Sequence, residues 1–390
     1  MSDASLMTAA DLGAANKARL IRLLHRDGPQ SRADLASALG VSRATVTTMV
    51  QSVLEAGLLV EQAPVRGGGK PGASRAGKPA KPLWFSDAVL LGCLYISGGG
   101  LHQAILRMDG QMVRERRTPL DMDDPVGAIV AECGKFFSGT TLMGIGVAAA
   151  GMVETDRGVI LEIYRAPALT GMPVVELLHA RLGVPVVVDH HPRVQAIGDL
   201  WFGDGRELSS FASVHTGEVL GAGMVHHGRV LRGPQGGGGE IGHTVVALDG
   251  DRCVCGRVGC WETVATLPWL RREAERAGFP ESAQMTCAVL VERESHDRAA
   301  ASLLRRYLSN VAQGIADLEQ TLGLQRYLIH GDVGQGGRVV EEILTEELST
   351  MLNRRRALPQ LTAVSDDDRS TLLGAAGLLL SAKFSSEVDR

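Results

Sequence analysis

The hydrophobic residues of the first sixty positions recur at helical spacing in three short stretches. Residues 20–24 carry the first stripe, which Gly28-Pro29 ends. The second stripe occupies residues 35–39 and the third residues 46–54, with apolar side chains three and four positions apart. Because this period places apolar side chains on one face of an α-helix, the segment predicts three short helices.

Polar residues at the ends of these stripes predict where the second and third helices begin. Ser31 with Asp34 three positions later forms a box-like helix start, and Ser42 is placed to cap the third helix. Gly40-Val41 separates the two helices. Two short helices joined by such a turn predict a helix-turn-helix, whose second helix enters the major groove of DNA.

The outer face of the third helix offers side chains suited to DNA. Arginine can read guanine, glutamine can read adenine, and hydroxyl groups can hold phosphates. The candidate contacts are Ser42, Arg43, Thr45, Thr47, Thr48 and Gln51. The alternative interpretation is a small helical bundle with a solvated polar face.

The segment after the third helix favours the DNA-binding interpretation. Residues 57–60 form a short apolar strand, and residues 62–82 carry five basic residues, no acidic residue and many Gly and Pro. We expect a winged helix-turn-helix domain over residues 1–61, followed by a basic wing and flexible linker over residues 62–82. Lys78 is a candidate phosphate contact in this segment. A plain linker is the alternative.

Charge is distributed unevenly along the chain. The 390 residues carry a formal net charge of −4. Eleven basic and six acidic residues give residues 1–82 a charge of +5, whereas 29 basic and 38 acidic residues give the remainder −9. The basic segment therefore fits a nucleic-acid partner and the acidic remainder does not.

From Leu83 onward the pattern changes to apolar strands that alternate with helices. The sequence predicts a hairpin from residues 89–96 and 103–108, a helix at 125–137, a strand at 143–149, a helix at 174–182 and a strand at 184–188. Such alternation predicts an α/β sheet covered on both faces. A similar glycine-turned hairpin near Gly221-Ala222-Gly223 predicts two related lobes with a cleft between them, divided near residue 190.

One short segment combines four residues that ligate metals. His243, Cys253, Cys255 and Cys260 follow one another at intervals of ten, two and five residues. Zn²⁺ prefers four such ligands in a tetrahedron, so we expect a closed structural zinc site. Reduced structural cysteines beside an unrelated histidine are the alternative. The other three cysteines are isolated in sequence.

The segment around these ligands resembles a known protein family. Gly239-Glu240-Ile241-Gly242-His243, followed by Cys253-x-Cys255-Gly256-x-x-Gly259-Cys260-x-Glu262, is similar to the signature of the ROK family of sugar kinases and sugar-responsive repressors. The resemblance runs from about Leu83 to the C-terminus, so residues 83–390 form the expected sugar-sensing domain. The repressor branch of the family also carries a winged helix-turn-helix before this domain.

The resemblance implies a fold and a ligand. It implies an actin-like, two-lobed α/β domain of the sugar kinase (ribonuclease H-like) type, with zinc held by the His/Cys₃ set and a sugar in the cleft. Glu240 and Glu262 would then accept hydrogen bonds from sugar hydroxyls. His243 would bind zinc through one ring nitrogen and reach the sugar with the other.

Three parts of the family's kinase machinery have different residues here. Residues 94–100 lack the Asp and Thr of the first phosphate loop, and Glu218 and Val219 interrupt the second loop. His190-His191 stands where the family has its catalytic Asn-Asp. Phosphoryl transfer needs a phosphate-binding loop and a carboxylate that orients the attacking hydroxyl, so we expect no kinase activity.

The histidines also change the expected ligand. His190 and His191 would meet a different carbohydrate, such as an oligosaccharide, a modified sugar or a sugar phosphate. The alternative is that they line a cleft that binds no ligand.

Together these features predict a cytoplasmic DNA-binding transcriptional regulator of the repressor type, without a membrane-spanning segment. Its partners would be operator DNA, a carbohydrate effector and further copies of itself in a homodimer or homotetramer, because paired half-sites need paired heads. A bifunctional sugar kinase with a DNA-binding head and a ligand-independent DNA-binding regulator are the alternatives.

Overall fold

Three helices form the N-terminal head of the protein. The computed structural model describes residues 9–63, 81–234, 237–353, 355–365 and 368–384. The head helices are α1 (Ala9–Asp27), α2 (Arg32–Leu39) and α3 (Arg43–Glu55). Their apolar stripes pack together, and Leu20, Leu35 and Val50 are fully buried at the centre of this packing. The three predicted helices are therefore present.

The two helices of the helix-turn-helix begin at the predicted caps. The Ser31 hydroxyl accepts from the backbone N–H of Asp34, and the Asp34 carboxylate accepts from the backbone N–H of Ser31. Ser42 accepts from the N–H of Thr45 in the same way. Each cap satisfies backbone donors that have no partner within the helix, so both helix starts are fixed by local sequence.

A two-stranded sheet completes the head. Strand β1 (Leu59–Glu61) pairs antiparallel with β2 (Leu83–Phe85), and Gln30 bridges to Leu83. The sequence pattern predicts that the C-terminal domain begins at Leu83, whereas the structure places Leu83–Phe85 beside β1. Phe85 is buried against the head and next to His25, which explains its position. Most of the basic segment between these strands, residues 64–80, lies outside the described residues.

The first lobe is a five-stranded sheet with helices. Its elements are β3 (Leu90–Ser97), β4 (Gly100–Arg107), β5 (Met112–Pro119), α4 (Pro125–Phe137), β6 (Leu142–Ala149), β7 (Met152–Glu154), β8 (Val159–Glu162), α5 (Val174–Leu182) and β9 (Val186–His190). The strand order is β5-β4-β3-β6-β9, while β7 and β8 form a separate small sheet. Strands β3, β6 and β9 are parallel, and β4 and β5 are antiparallel additions.

The second lobe repeats this topology. Its elements are α6 (His191–Trp201), β10 (Phe211–Thr216), β11 (Gly221–His226), β12 (Arg229–Val230), α7 (Leu267–Arg276), α8 (Cys287–Arg293), α9 (Arg298–Leu322), β13 (Arg326–Gly331), α10 (Gly337–Met351), β14 (Gln360–Ala363) and α11 (Arg369–Phe384). The strand order is β12-β11-β10-β13-β14, with β10, β13 and β14 parallel. Both sheets thus join an antiparallel meander to parallel strands.

The expected hairpin near Gly221-Ala222-Gly223 is present as β10 and β11, but these three residues do not form its turn. These residues lie within strand β11, and the turn of the hairpin is residues 217–220. A Cβ atom at Gly221 would lie 2.7 Å from the Pro192 ring. The glycines are therefore required because α6 lies against this strand, not because the chain turns there.

Helices α6 and α11 pack against each other and join the two lobes. Helix α6 begins where the first sheet ends, and α11 returns to contact β6 and β3. A Cβ atom at Gly374 would collide with the Val194 carbonyl oxygen, so the two helices approach each other closely at this glycine. No helix within the described residues is long and apolar enough to cross a lipid bilayer.

Candidate ligand cleft and metal centre

A cleft of about 750 Å³ lies between the two lobes. Its walls come from the carboxyl ends of strands β3, β6, β9 and β10 and from the segment that precedes the cysteines. Ligands of α/β proteins bind at this edge of parallel strands. The structure brings all five predicted ligand contacts to the cleft wall: His190, His191, Glu240, His243 and Glu262.

Glu240 and Glu262 are two of the carboxylates that line this cleft. Burial raises the pKa of Glu240, and the charge of Arg193 opposes this rise. Burial also raises the pKa of Glu262, against the charge of Arg165. Partly desolvated carboxylates gain from hydrogen-bond donors that replace lost water, so both groups are suited to accept from ligand hydroxyls.

His190 lies beside Glu240, with its Nδ1 atom 3.4 Å from Glu240 Oε1. This nitrogen is buried and has no hydrogen-bond partner of good geometry. Burial, followed by the charge of Arg193, lowers the pKa of His190 to about 3. The imidazole is therefore neutral, and a ligand in the cleft could hydrogen-bond to Nδ1 together with Glu240.

Three rings contact one another in the floor of the cleft. Tyr95 and His191 are stacked with ring centres 4.5 Å apart, and His215 meets His191 edge to face at 4.4 Å. His191 Nε2 lies 2.9 Å from the Thr371 hydroxyl oxygen on α11. Burial, then the neighbouring histidines, lower the pKa of His191 well below its ordinary value. His191 is thus a buried neutral side chain held by both lobes.

A buried ion network underlies the cleft. The Asp189 carboxylate accepts from Arg193 Nε at 2.7 Å and from Arg232 Nε at 2.9 Å. Arg193 also donates to the Gly238 carbonyl oxygen at 2.9 Å, which ties the glycine segment before Glu240 to α6. Although burial opposes ionisation of Asp189, the two arginines hold its pKa below the ordinary value. The network therefore fixes the backbone that presents Glu240.

A second ion network connects the lobes at the mouth of the cleft. Arg165 of the first lobe donates to the Glu218 carbonyl oxygen in the turn between β10 and β11. The Glu218 carboxylate lies 3.5 Å from Arg165 and 2.5 Å from Arg271 on α7. Glu218 thus pairs with one arginine from each lobe.

The predicted metal ligands meet in one cluster. The ligand atoms of His243, Cys253, Cys255 and Cys260 all lie within 4.8 Å of one another. His243 Nδ1 is 3.4 Å from Cys253 Sγ, and Cys255 Sγ is 3.7 Å from Cys260 Sγ. In a tetrahedral zinc site with Zn–S bonds of about 2.3 Å, sulfur atoms lie about 3.8 Å apart. The donor set therefore fits Zn²⁺ in kind and in spacing.

The backbone around these ligands is a tight loop. Cys253 N–H donates to the Arg257 carbonyl oxygen at 2.8 Å, and Val245 bridges to Cys260. Gly259 has φ +73°, and a Cβ atom there would collide with the Ala247 carbonyl oxygen. A glycine is therefore required immediately before the last cysteine.

The predicted DNA contacts form one surface of the head. Ser42, Arg43, Thr45, Thr47, Thr48 and Gln51 are all exposed. The Thr47 hydroxyl donates to the Arg43 carbonyl oxygen at 2.8 Å, and Thr48 to that of Ala44 at 3.2 Å. Phosphate oxygens only accept, so these hydroxyls must rotate before they can bind phosphate. Lys78 lies outside the described residues.

Several residues in and around the cleft are not predicted from the sequence. Arg193, Arg165 and His215 became visible only in the folded chain. Asp189 and Arg193 stand four positions apart, where a valine-rich strand ends. This spacing is the sequence feature that indicates their ion pair. Arg165 and Glu218 are 53 positions apart, and no local pattern connects them.

The fold and the cleft define a class of protein: a two-lobed domain of the sugar kinase type with a helix-turn-helix head. A model of the ROK family matches residues 92–382, and a model of the MarR family matches residues 15–63. The chain belongs to the ROK family. The resemblance proposed from the sequence and the two-part fold class are both confirmed.

Known relatives include repressors and kinases. The DNA-binding transcriptional repressor Mlc of Escherichia coli is 24% identical over 383 residues, covering 93% of this chain and 92% of the relative. A glucokinase of Halalkalibacterium halodurans is 26% identical over 310 residues, covering 73% and 91%. The crystal structure of a ROK family transcriptional regulator, a homologue of Mlc, matches with a TM-score of 0.77 at 22% identity, covering 96% and 97%.

Proposed function

We propose that this protein is a DNA-binding transcriptional repressor whose C-terminal domain binds a carbohydrate effector. The observation that carries the proposal is the combination of an exposed polar face on α3 with a separate cleft whose lining includes the carboxylates of Glu240 and Glu262 and the neutral imidazole of His190. The similarity to Mlc over nearly the whole chain supports the repressor role. The glucokinase relative shares only 73% of the chain.

The head binds operator DNA through α3 in this proposal. Arg43 lies in the first turn of the helix and is exposed, where it can reach guanine. Gln51 lies two turns further along and bonds to Glu55 at 2.8 Å in the free protein. The sugar-phosphate backbone of DNA is contacted by Ser42, Thr45, Thr47 and Thr48. Lys78 adds a phosphate contact from the wing segment.

The charge of the cleft favours a neutral sugar. Glu218, Glu240, Glu262 and Asp368 line it, whereas Arg165 is its single lining arginine or lysine among the described residues. Arg193 is buried behind the residues that line the cleft, and the charge of Asp189 balances its own. His190 and His191 are neutral. A phosphate on the ligand would be repelled, so a neutral oligosaccharide or modified sugar fits better than a sugar phosphate.

Kinase activity is not part of the proposal. His191 occupies the position expected of the catalytic aspartate, and a buried imidazole with so low a pKa is a poor general base. Residues 94–100 lack the Asp and Thr of the first phosphate loop, and Glu218 adds a negative charge to the second. A coupled assay of ADP release with ATP and the sugar panel described below should show no turnover. Turnover would support the bifunctional kinase instead.

Zinc is the proposed structural cofactor. His243, Cys253, Cys255 and Cys260 would hold it, and the metal would fix the loop between Glu240 and Glu262. With Nδ1 on the metal, His243 keeps Nε2 for the sugar. Cys255→Ser should lower the zinc content measured by metal analysis from about one per chain to near zero. Cys133→Ser, a buried cysteine outside the cluster, should retain zinc. Unchanged zinc in Cys255→Ser would contradict the site.

Sugar binding would act on DNA through a population shift. A sugar that contacts both lobes favours the closed cleft, and it can change operator affinity only if its affinity differs between the two states. In a homodimer or homotetramer, closure would alter the spacing of the paired heads. The heads then fit the two half-sites of the operator better in one state than in the other.

A gel-shift titration tests this function. The probe is DNA from upstream of the protein's own gene, titrated with and without each member of a panel of neutral sugars, amino sugars and sugar phosphates. One neutral sugar should change operator affinity at least tenfold. Glu240→Gln should weaken the response to that sugar about tenfold, since hydrogen bonds to charged groups are strong. Glu342→Gln, an exposed change on α10, should respond normally.

Two outcomes of this titration would contradict the proposal. DNA binding that no sugar alters at millimolar concentration would support a ligand-independent regulator. The operator-binding role would be contradicted if the full chain bound no DNA sequence specifically and if Arg43→Ala left its affinity for DNA unchanged.

A further inference from the structure

A second groove lies where the head meets the C-terminal domain. Its volume is about 290 Å³, and it is formed by α1 and α2 of the head and by the end of α6 and the following loop. Four arginines line it: Arg19, Arg22, Arg26 and Arg206. No acidic residue is among the described residues that line it. This groove is separate from the cleft, and the regulator function does not use it.

The arginines converge because of helix geometry and domain packing. Arg19, Arg22 and Arg26 are three and four positions apart, so they share one face of α1. Arg206 reaches the same groove from the C-terminal domain. Arg22 lies over the Trp201 ring at 5.6 Å, which fixes one cation against the domain interface.

The contacts of Arg19 and Arg206 leave donors for a ligand. Arg19 donates to the Leu39 carbonyl oxygen at 3.2 Å through one nitrogen, and Arg206 donates to the Gly203 carbonyl oxygen at 3.1 Å. Each guanidinium has five N–H donors, so these two backbone bonds use few of them. Arg26 is paired with Asp27 at 2.7 Å.

The lining of the groove is positively charged, since four arginines and no acidic residue stand among the described residues that form it. Asp27 and Glu207 act on the charge of Arg26. His25, packed beside the groove against Phe85, has its pKa lowered to about 3 by burial and then by the charge of Arg206. Like charges that converge across an interface repel each other unless an anion lies between them.

We infer that this groove binds a phosphate group through Arg19, Arg22, Arg26 and Arg206. Arginine forks match phosphate oxygens in geometry, and four of them exceed what a carboxylate needs. The volume suits a small phosphate-bearing molecule or one backbone phosphate of DNA. The walls of the groove belong to both the head and the C-terminal domain, so a bound phosphate stabilises the observed position of the head. If the head moves relative to the C-terminal domain, phosphate binding therefore changes the affinity for the operator by linkage.

Thermal unfolding and calorimetry on the full-length protein without DNA test the free-ligand source. Inorganic phosphate and pyrophosphate are the probes, compared with sodium chloride at equal ionic strength. Phosphate should raise the unfolding temperature in a saturable manner. Arg206→Gln should weaken phosphate binding about tenfold, Arg206→Lys should weaken it less, and Arg338→Gln, an exposed arginine on α10, should leave it unchanged.

The DNA source is tested by the salt dependence of binding to a random-sequence duplex. If a backbone phosphate occupies the groove, Arg206→Gln should reduce the slope of log affinity against log salt by about one. Arg26→Gln provides a second exposed variant if Arg206→Gln fails to fold. Phosphate effects equal to those of chloride, together with unchanged salt slopes in both variants, would overturn the inference. The free-phosphate assay does not depend on the proposed repressor function.

Discussion

Arg193 carries a charge in the interior of the protein with about 1% of its side chain exposed. It bonds to Asp189 and to the Gly238 carbonyl oxygen, so it couples the floor of the cleft to the segment that presents Glu240. A buried ion pair is a weak source of stability compared with apolar packing, but breaking one leaves an uncompensated charge. The residue is therefore better explained by positioning than by stability.

Arg193→Met should lower the free energy of unfolding by about 3 kcal/mol, the lower end of the range for a broken buried pair, because Arg232 still contacts Asp189. Urea unfolding measures the change. Arg338→Met on the exposed face of α10 should cost less than about 0.5 kcal/mol. A loss below about 1 kcal/mol in Arg193→Met would mean that Asp189 is not left as an uncompensated buried charge.

His190 makes stability depend on pH. Its pKa in the folded protein is about 3, below the ordinary value of 6.5, so the unfolded chain binds a proton that the folded chain does not. This contribution to stability is complete above pH 6.5 and is lost as pH falls toward 3, by about 1.4 kcal/mol per pH unit. His190→Asn should remove that part of the slope between pH 6 and pH 4 in urea unfolding. Exposed His296→Asn should not, and equal slopes would contradict the assignment.

At the scale of elements, α3 depends on its cap as well as on its DNA-facing side chains. Ser42 holds the first turn through the Thr45 N–H, and it is also a predicted DNA contact. Substitutions can separate these two roles because aspartate caps a helix as well as serine does, but repels phosphate.

Ser42→Asp should keep the free energy of unfolding within about 0.5 kcal/mol of the original, while operator binding weakens at least tenfold. Ser42→Ala should lose about 1 kcal/mol of stability. Ser31→Ala, which removes the cap of α2, should show a similar loss of stability with a smaller effect on DNA. Chemical unfolding and gel shifts measure the two effects. Normal DNA binding by Ser42→Asp would exclude Ser42 from the interface.

These elements also show how much of the fold the sequence could predict. Helices α2 and α4 and the β3–β4 hairpin have local signals, namely caps, a proline start and a glycine turn, and they form where expected. The pairing of β1 with β2 and the glycines of β11 depend on what packs against them from distant parts of the chain. No local pattern contains that information.

The candidate sites also contain residues that a local sequence pattern predicts and residues that only folding brings together. Cys253, Cys255 and Cys260 lie within eight positions, so their spacing alone indicated a shared ligand. The rings of Tyr95, His191 and His215 come from β3, α6 and β10, and only the folded chain brings them together. The sequence predicts His191 as a cleft residue, but not that its ring stacks on Tyr95.

At the scale of the whole molecule, two contacts connect the lobes: the packing of α6 against α11, and an ion pair across the mouth of the cleft. Helices α6 and α11 form the rigid connection, and close packing at Gly374 leaves little freedom there. Arg165 and Glu218 connect the lobes at the mouth, with side chains 41% and 50% exposed. An exposed ion pair contributes about 0–1 kcal/mol, so this contact can adjust the balance between open and closed forms without locking either.

Glu218→Gln should therefore lower affinity for the effector sugar by up to about fivefold, because a change of 1 kcal/mol in closure corresponds to that factor. Arg165→Gln should have a similar effect, and the double variant should lose less than the sum, since both substitutions remove one interaction. Calorimetric titration measures the affinities, and Glu342→Gln provides a matched exposed control. Strict additivity would mean that the pair does not couple the lobes. A coupling free energy in this double-mutant cycle would show that sugar binding depends on the contact between Arg165 and Glu218. The proposed population shift requires this link between sugar binding and closure of the cleft.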